Sequence, residues 1–127
     1  MHTEIKQVAV YGSLLSGLSN HRVLGNSTLL GKDELEGWDM YSLWGFPGIV
    51  KGSGSIKVEV YSVENEQVAY GLDTLEGYPS FYDRKLVNTD YGKAWVYFLH
   101  EQPSPVLVDN GDWRKFLLKE RGDLYVD

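Results

Sequence analysis

One carboxylate in this sequence has the surroundings of a proton-transfer group. Glu76 lies in Leu72-Asp73-Thr74-Leu75-Glu76-Gly77-Tyr78-Pro79, with Phe81-Tyr82-Asp83-Arg84 close behind. A glutamate at a helix end, followed by glycine and flanked by aromatics, can be stripped of water. Burial raises a carboxyl pKa towards neutrality, where it can both accept and return a proton. The same residue types also allow a solvated carboxylate, or a structural ion pair with Arg84.

A second constellation is Tyr11-Gly12-Ser13-Leu14, directly after an apolar run. A glycine at a strand exit lets the chain turn sharply and can aim consecutive N–H groups into one space, a nest for a carboxylate or phosphate. An ordinary strand-ending turn fits the same four residues. A P-loop does not, because no Gly-Lys-Ser/Thr follows. Ser13 has no convincing histidine partner for a Ser-His-Asp hydrolase. Two aromatic segments, Trp44-Gly45-Phe46-Pro47-Gly48 and Trp95-Val96-Tyr97, either wall a cavity or fill the core.

The elements that must position these groups are mostly strands. Val8 and Val10 begin a first strand that ends at Tyr11-Gly12-Ser13. Asn20 is placed to cap a short helical turn over His21–Gly25. Glycines at 31, 37, 45, 48, 52 and 54 then break the chain into short runs such as WDMYSLW and SIKVEVYSV. In the latter, Ile56, Val58 and Val60 alternate with Lys57, Glu59 and Tyr61, the period-2 pattern of a strand. Asn65–Glu76 is the best helix: Val68, Leu72 and Leu75 recur at helical spacing and Gly77 stops it. Gly71 in its middle costs about 1 kcal/mol against alanine. Strands follow at Tyr82–Asn88 and Ala94–Leu99, the second apolar enough for burial on both faces. Asp112 is placed to cap a C-terminal helix. Many short strands with few helices suggest a closed or nearly closed barrel with helices packed outside.

Composition narrows the function classes. The 127 residues fit one domain spanning 1–127, without a linker or repeat, and 43 % of them are hydrophobic. The chain has four Trp, nine Tyr and four Phe, more rings than a minimal core needs. Eighteen acidic against twelve basic residues leave a net charge of −6, with no basic cluster to hold a nucleic-acid backbone. No apolar run approaches the roughly 18 residues of a membrane span. The first residues, MHTEIKQVAVYG, are wrong for a secretory signal, so the cytoplasm is the default compartment. Cysteine is absent, which excludes disulfides, thiol nucleophiles and thiolate metal sites. His2, His21 and His100 are too dispersed for a local metal motif. Asn26-Ser27-Thr28 and Arg121-Gly122-Asp123 match a glycosylation acceptor and an adhesion tripeptide, both by chance without a secretory context.

Taken together, VAVYGSLL at 8–15, FPGIV at 46–50, VEVYSV at 58–63, GLDTLEGYPSFYDRKLV at 71–87, AWVYF at 94–98 and GDW at 111–113 resemble the γ-glutamylcyclotransferase-like family. The resemblance is to its short branch, which includes the γ-glutamylamine cyclotransferases and related small plant and bacterial proteins. The order and spacing of the six segments span almost the whole chain. The resemblance implies a mixed α+β fold with a small β-barrel and a cavity at one end. It implies that Gly12, Ser13 and Leu14 hold the α-carboxylate of a glutamyl group through their amides, and that Glu76 is the acid/base. Tyr11, Tyr82 and Tyr97 match pocket-lining positions.

The implied reaction turns a γ-glutamyl amine, or a γ-glutamyl peptide, into 5-oxoproline and free amine. The substrate's own α-amine is the nucleophile, so neither metal nor organic cofactor is called for. The implied partner is therefore a small molecule with a γ-glutamyl group. A binding protein using the same cavity for a small carboxylate ligand, without turnover, is the alternative. The chain departs from the family pattern at Val58, where a glycine commonly precedes the Glu-Leu-Tyr-like strand. The bulkier side chain either narrows the cavity or faces outward.

Overall fold

The computed structural model describes residues 6–125, the last five as helical backbone only; His2 lies outside the described residues. Five strands form one mixed sheet in the order β2-β3-β1-β5-β4. β1 (Gln7–Val10) occupies its centre, antiparallel to β3 (Pro47–Ser62) and parallel to β5 (Gly92–Phe98). A central strand needs apolar residues on both faces. Val8, Ala9 and Val10 meet that need, each being at most 3 % exposed. β5 supplies the same continuous character through Ala94, Val96, Tyr97 and Phe98, with β4 (Asp83–Thr89) on its outer side.

β2 (Thr28–Ser42) and β3 are long strands joined in one antiparallel hairpin, not the short runs that the glycines suggested. The pairing register slips between Leu29 and Gly31 and between Glu36 and Trp38. Gly31 and Gly37 thus sit at irregularities inside a strand, and the bulges bend the ribbon without ending it. The mixed α+β class is as expected. The sheet curls like a barrel, yet no ladder joins β2 to β4. Their ends meet instead where the Asp90 N–H donates to Asp33 Oδ2 at 2.8 Å and Tyr91 Oη donates to the Lys32 carbonyl at 3.2 Å.

The alternation across β3 predicts one solvated face, and only Lys57 follows it. Glu59 and Tyr61 are 2 % and 3 % exposed. The loop after β1 and the last helix cover them. Ser16 donates to Glu59 through its N–H at 2.9 Å and its hydroxyl at 3.1 Å, Tyr61 Oη donates at 2.9 Å and Arg114 Nη2 at 3.2 Å. Burial alone would raise this carboxyl; the hydrogen bonds and the arginine outweigh it and hold it below the ordinary value. Val58 neither narrows the cavity nor faces outward, because it is buried in the core away from the cavity walls.

Two helices pack on the sheet. α1 (Glu66–Glu76) opens on Asn65, whose side chain accepts from the Gln67 N–H, and buries Ala69 and Leu72. It closes by a Schellman motif. Gly77 takes φ 66°, its N–H donates to the Thr74 carbonyl, and the Tyr78 N–H donates to the Asp73 carbonyl. α2 (Trp113–Tyr125) is capped by Asp112 as expected: Oδ1 accepts from the Lys115 N–H at 3.0 Å. Residues 21–24 form a single 3-10 turn, and the Asn20 side chain does not cap it. No helix among the described residues is long and apolar enough to cross a membrane.

Candidate active site

The loop after β1 is built to leave three amides free. The Gly12 carbonyl accepts from the Leu15 N–H, the Ser13 carbonyl from the Asn20 N–H, and the Leu14 carbonyl from His21 Nδ1, each at 2.9 Å. A carbonyl can only accept, so His21 carries its proton on Nδ1. With these oxygens engaged, the N–H groups of Gly12, Ser13 and Leu14 make no hydrogen bond to another described residue. Asn20 Nδ2 also donates to Ser13 Oγ at 2.9 Å. A neighbour fixes the loop from below: a Cβ on residue 12 would sit 2.8 Å from Pro47 Cγ, so only glycine allows this approach.

This loop forms one wall of a cavity of about 400 Å³, and Glu76 stands on another. The last turn of α1 carries Glu76 there, and the Schellman motif fixes its backbone. The Glu76 carbonyl also accepts from the Tyr82 N–H at 3.3 Å. Its carboxyl makes no hydrogen bond or ion pair to another described residue. Loss of water on burial raises its pKa from the ordinary glutamate value to about 7.

Arg84 is not its partner. Arg84 Nη1 instead donates to both Asp73 oxygens, at 2.9 and 2.8 Å. Its guanidinium lies 4.2 Å from the Tyr78 ring centre and 4.6 Å from that of Trp95. The two alternative readings of Glu76, a solvated carboxylate and an ion pair with Arg84, therefore both fail.

Three phenols complete the interior. Tyr11 Oη donates to the Tyr97 carbonyl at 2.8 Å, Tyr82 Oη to the Pro47 carbonyl at 2.6 Å, and Tyr97 Oη to Asp73 Oδ1 at 2.7 Å. Burial pushes all three phenols above their ordinary range; the Asp73 carboxylate adds to the rise at Tyr97, Tyr82 adds to it at Tyr11, and the Glu76 charge adds a smaller part to each. Each proton is therefore committed to a fixed acceptor, and each oxygen keeps a lone pair for a further donor, one at Tyr11 being already directed at the Ile49 amide. Tyr11, Gly12, Ser13, Leu14, Glu76, Tyr82 and Tyr97 all line the one cavity.

The aromatic segments divide. Gly45, Phe46, Pro47 and Tyr97 line the cavity, whereas Trp95 lies under Arg84 and Trp44 is 95 % exposed. Sequence reasoning missed Asn20, read as a helix cap, and the wall residues Leu75 and Phe81. A loop asparagine seven residues from the serine that it grips has no sequence signature. No group of His, Asp and Glu among the described residues could hold a metal ion.

Known proteins resemble this chain over most of its length. The family protein YtfP of Escherichia coli K12, named for γ-glutamylcyclotransferase, is 37 % identical over 109 residues, covering 84 % of this chain and 95 % of that protein. A Vibrio cholerae protein, named provisionally as a γ-glutamylcyclotransferase, is 42 % identical over 108 residues, 84 % of this chain and 93 % of its own. An uncharacterised Pyrococcus horikoshii protein superposes with a TM-score of 0.77 at 31 % identity, covering 91 % of this chain and 95 % of that one. The family described as gamma-glutamyl cyclotransferase, AIG2-like, matches residues 8–115, and the chain belongs to it.

Proposed function

We propose that this protein is a cyclotransferase that releases 5-oxoproline and a free amine from a γ-glutamyl amine or γ-glutamyl peptide. One observation carries the reading: Glu76, free of partners and with a pKa of about 7, shares a cavity with the unengaged amides of loop 12–14. The loop anchors the substrate's α-carboxylate, as a backbone nest does for an anion. The α-ammonium faces the acceptors, Glu76 and the phenol oxygens of Tyr11, Tyr82 and Tyr97.

The chemistry follows from that placement. A substrate α-amine is largely protonated at neutral pH, with a reference pKa of about 8. Glu76 takes its proton, and the amine nitrogen attacks the γ-carbonyl carbon. A new C–N bond closes the five-membered ring, and the bond to the leaving amine breaks. Glu76 returns that proton to the departing nitrogen, and the ring nitrogen's surplus proton leaves on the released amine, so no water or external nucleophile is consumed. Holding amine and carbonyl in contact supplies the proximity advantage, which reaches roughly 7–11 kcal/mol in well-oriented intramolecular reactions.

The test is 5-oxoproline release from a panel of γ-glutamyl amines, γ-glutamyl dipeptides and γ-glutamyl-lysine. Release from at least one class supports the reading. Binding without release from any of them would replace it with a binding protein.

A further inference from the structure

The two ends of the cavity differ in chemistry. Its interior holds the polar groups, while its exposed rim is Gly45, Phe46, Leu75 and Phe81 with Ser19. Phe46, Leu75 and Phe81 are 39 %, 40 % and 51 % exposed, and Trp44 precedes Gly45 and Phe46 on their turn. The rings form a continuous wall inward. Phe46 and Phe81 meet edge to face at 6.2 Å, and Phe81 meets Tyr82 at 4.9 Å. Backbone bonds hold both rim rings in place: the Leu43 N–H donates to the Phe46 carbonyl at 2.7 Å and the Phe81 N–H to the Gly77 carbonyl at 2.8 Å. Trp44 adopts φ 59° on that turn, a left-handed conformation unusual outside glycine.

No lysine, arginine, aspartate or histidine lines this cavity among the described residues; Glu76 is its only carboxyl. An anionic substituent at the rim would find no counter-ion among the lining residues and would meet repulsion from Glu76. An apolar substituent would instead cover exposed aromatic surface and gain from its removal from water.

Resting on the γ-glutamyl reading of the interior, we propose that the rim selects the leaving amine. It favours an uncharged amine with an apolar, above all aromatic, substituent. γ-Glutamylglycine and γ-glutamyl-lysine, which carry charge beyond the scissile bond, are the disfavoured class.

The experiment measures binding and turnover of γ-glutamylbenzylamide, γ-glutamylbutylamide, γ-glutamylglycine and γ-glutamyl-lysine on the full chain. Calorimetry gives the affinities and 5-oxoproline release gives kcat/KM. The benzylamide is expected to bind at least tenfold more tightly than γ-glutamylglycine, with the butylamide between them. Phe46→Ser and Phe81→Ser should reduce the ratio below threefold, with melting curves to show that the fold persists. Equal affinities, a reversed order, no binding, or a ratio unmoved in both folded variants overturns the proposal. The affinity ratio without any turnover would leave rim selectivity standing and sink the cyclotransferase reading. Turnover of all four with equal kcat/KM would do the reverse.

Discussion

Asn20 grips Ser13 twice, its backbone N–H on the Ser13 carbonyl and its Nδ2 on Ser13 Oγ, both at 2.9 Å. The two bonds hold the turn that leaves the amides of residues 12–14 free. Removal of the side chain costs one of them. The expected result for Asn20→Ala is about a tenfold rise in KM for a γ-glutamyl substrate, the scale of one lost hydrogen bond. A KM within twofold of wild type would mean that the loop needs no such brace.

Activity should follow the ionisation of Glu76. The base form is the carboxylate, which forms as pH rises through about 7. The prediction is that kcat/KM climbs across that range, because this parameter reports groups of the free enzyme. A profile already flat from pH 5 upward would place the base elsewhere, or give Glu76 an ordinary pKa.

The same shift should lower stability at high pH. Unfolded, Glu76 loses its proton near the ordinary value of 4.5; folded, it keeps the proton to about 7. Between those values the folded state holds more protons, so stability falls as pH rises and then levels off above 7. At pH 8 the charged group costs up to about 3 kcal/mol, at 1.36 kcal/mol per pKa unit. Glu76→Gln should therefore be more stable than wild type at pH 8, and nearly equal to it at pH 4. Urea unfolding at the two pH values checks this, and a gain of the same size at both would contradict it.

Gly71 inside α1 and Gly77 just past its end should respond with opposite sign to alanine. At Gly71 an added methyl meets only Val23 Cγ1, at 3.7 Å, so Gly71→Ala should stabilise by about 1 kcal/mol through helix propensity. At Gly77 the backbone is left-handed, at φ 66°, and the methyl would lie 3.1 Å from Phe81 Cβ. Gly77→Ala should destabilise by about 1–2 kcal/mol, the cost of a side chain in that conformation. Thermal melts of both variants decide it.

Much of this site was legible because its groups lie in local motifs. The turn at 11–14 and the helix end at Glu76-Gly77 each declare themselves over a few residues, and Asn65 and Asp112 cap their helices as the pattern predicts. What was hidden is long-range. Arg84 is taken by Asp73 and two rings, and spacing alone does not distinguish Asp73 from Glu76 as its partner. Glu59 looks like a solvated strand residue until Ser16 and Arg114, 43 and 55 positions away, come to cover it. Glycines inside β2 look like strand breaks because a bulge and a turn draw on the same residue.

The most direct measurement is 5-oxoproline release by Glu76→Gln beside wild type, on the best substrate of the panel, with affinity recorded in parallel. The amide keeps the shape of the side chain and removes its ability to take a proton. A loss of roughly 10²-fold or more in kcat is expected, on the order of a general acid–base contribution, with binding retained. A variant that turns over within a few-fold of wild type would contradict the role given to Glu76.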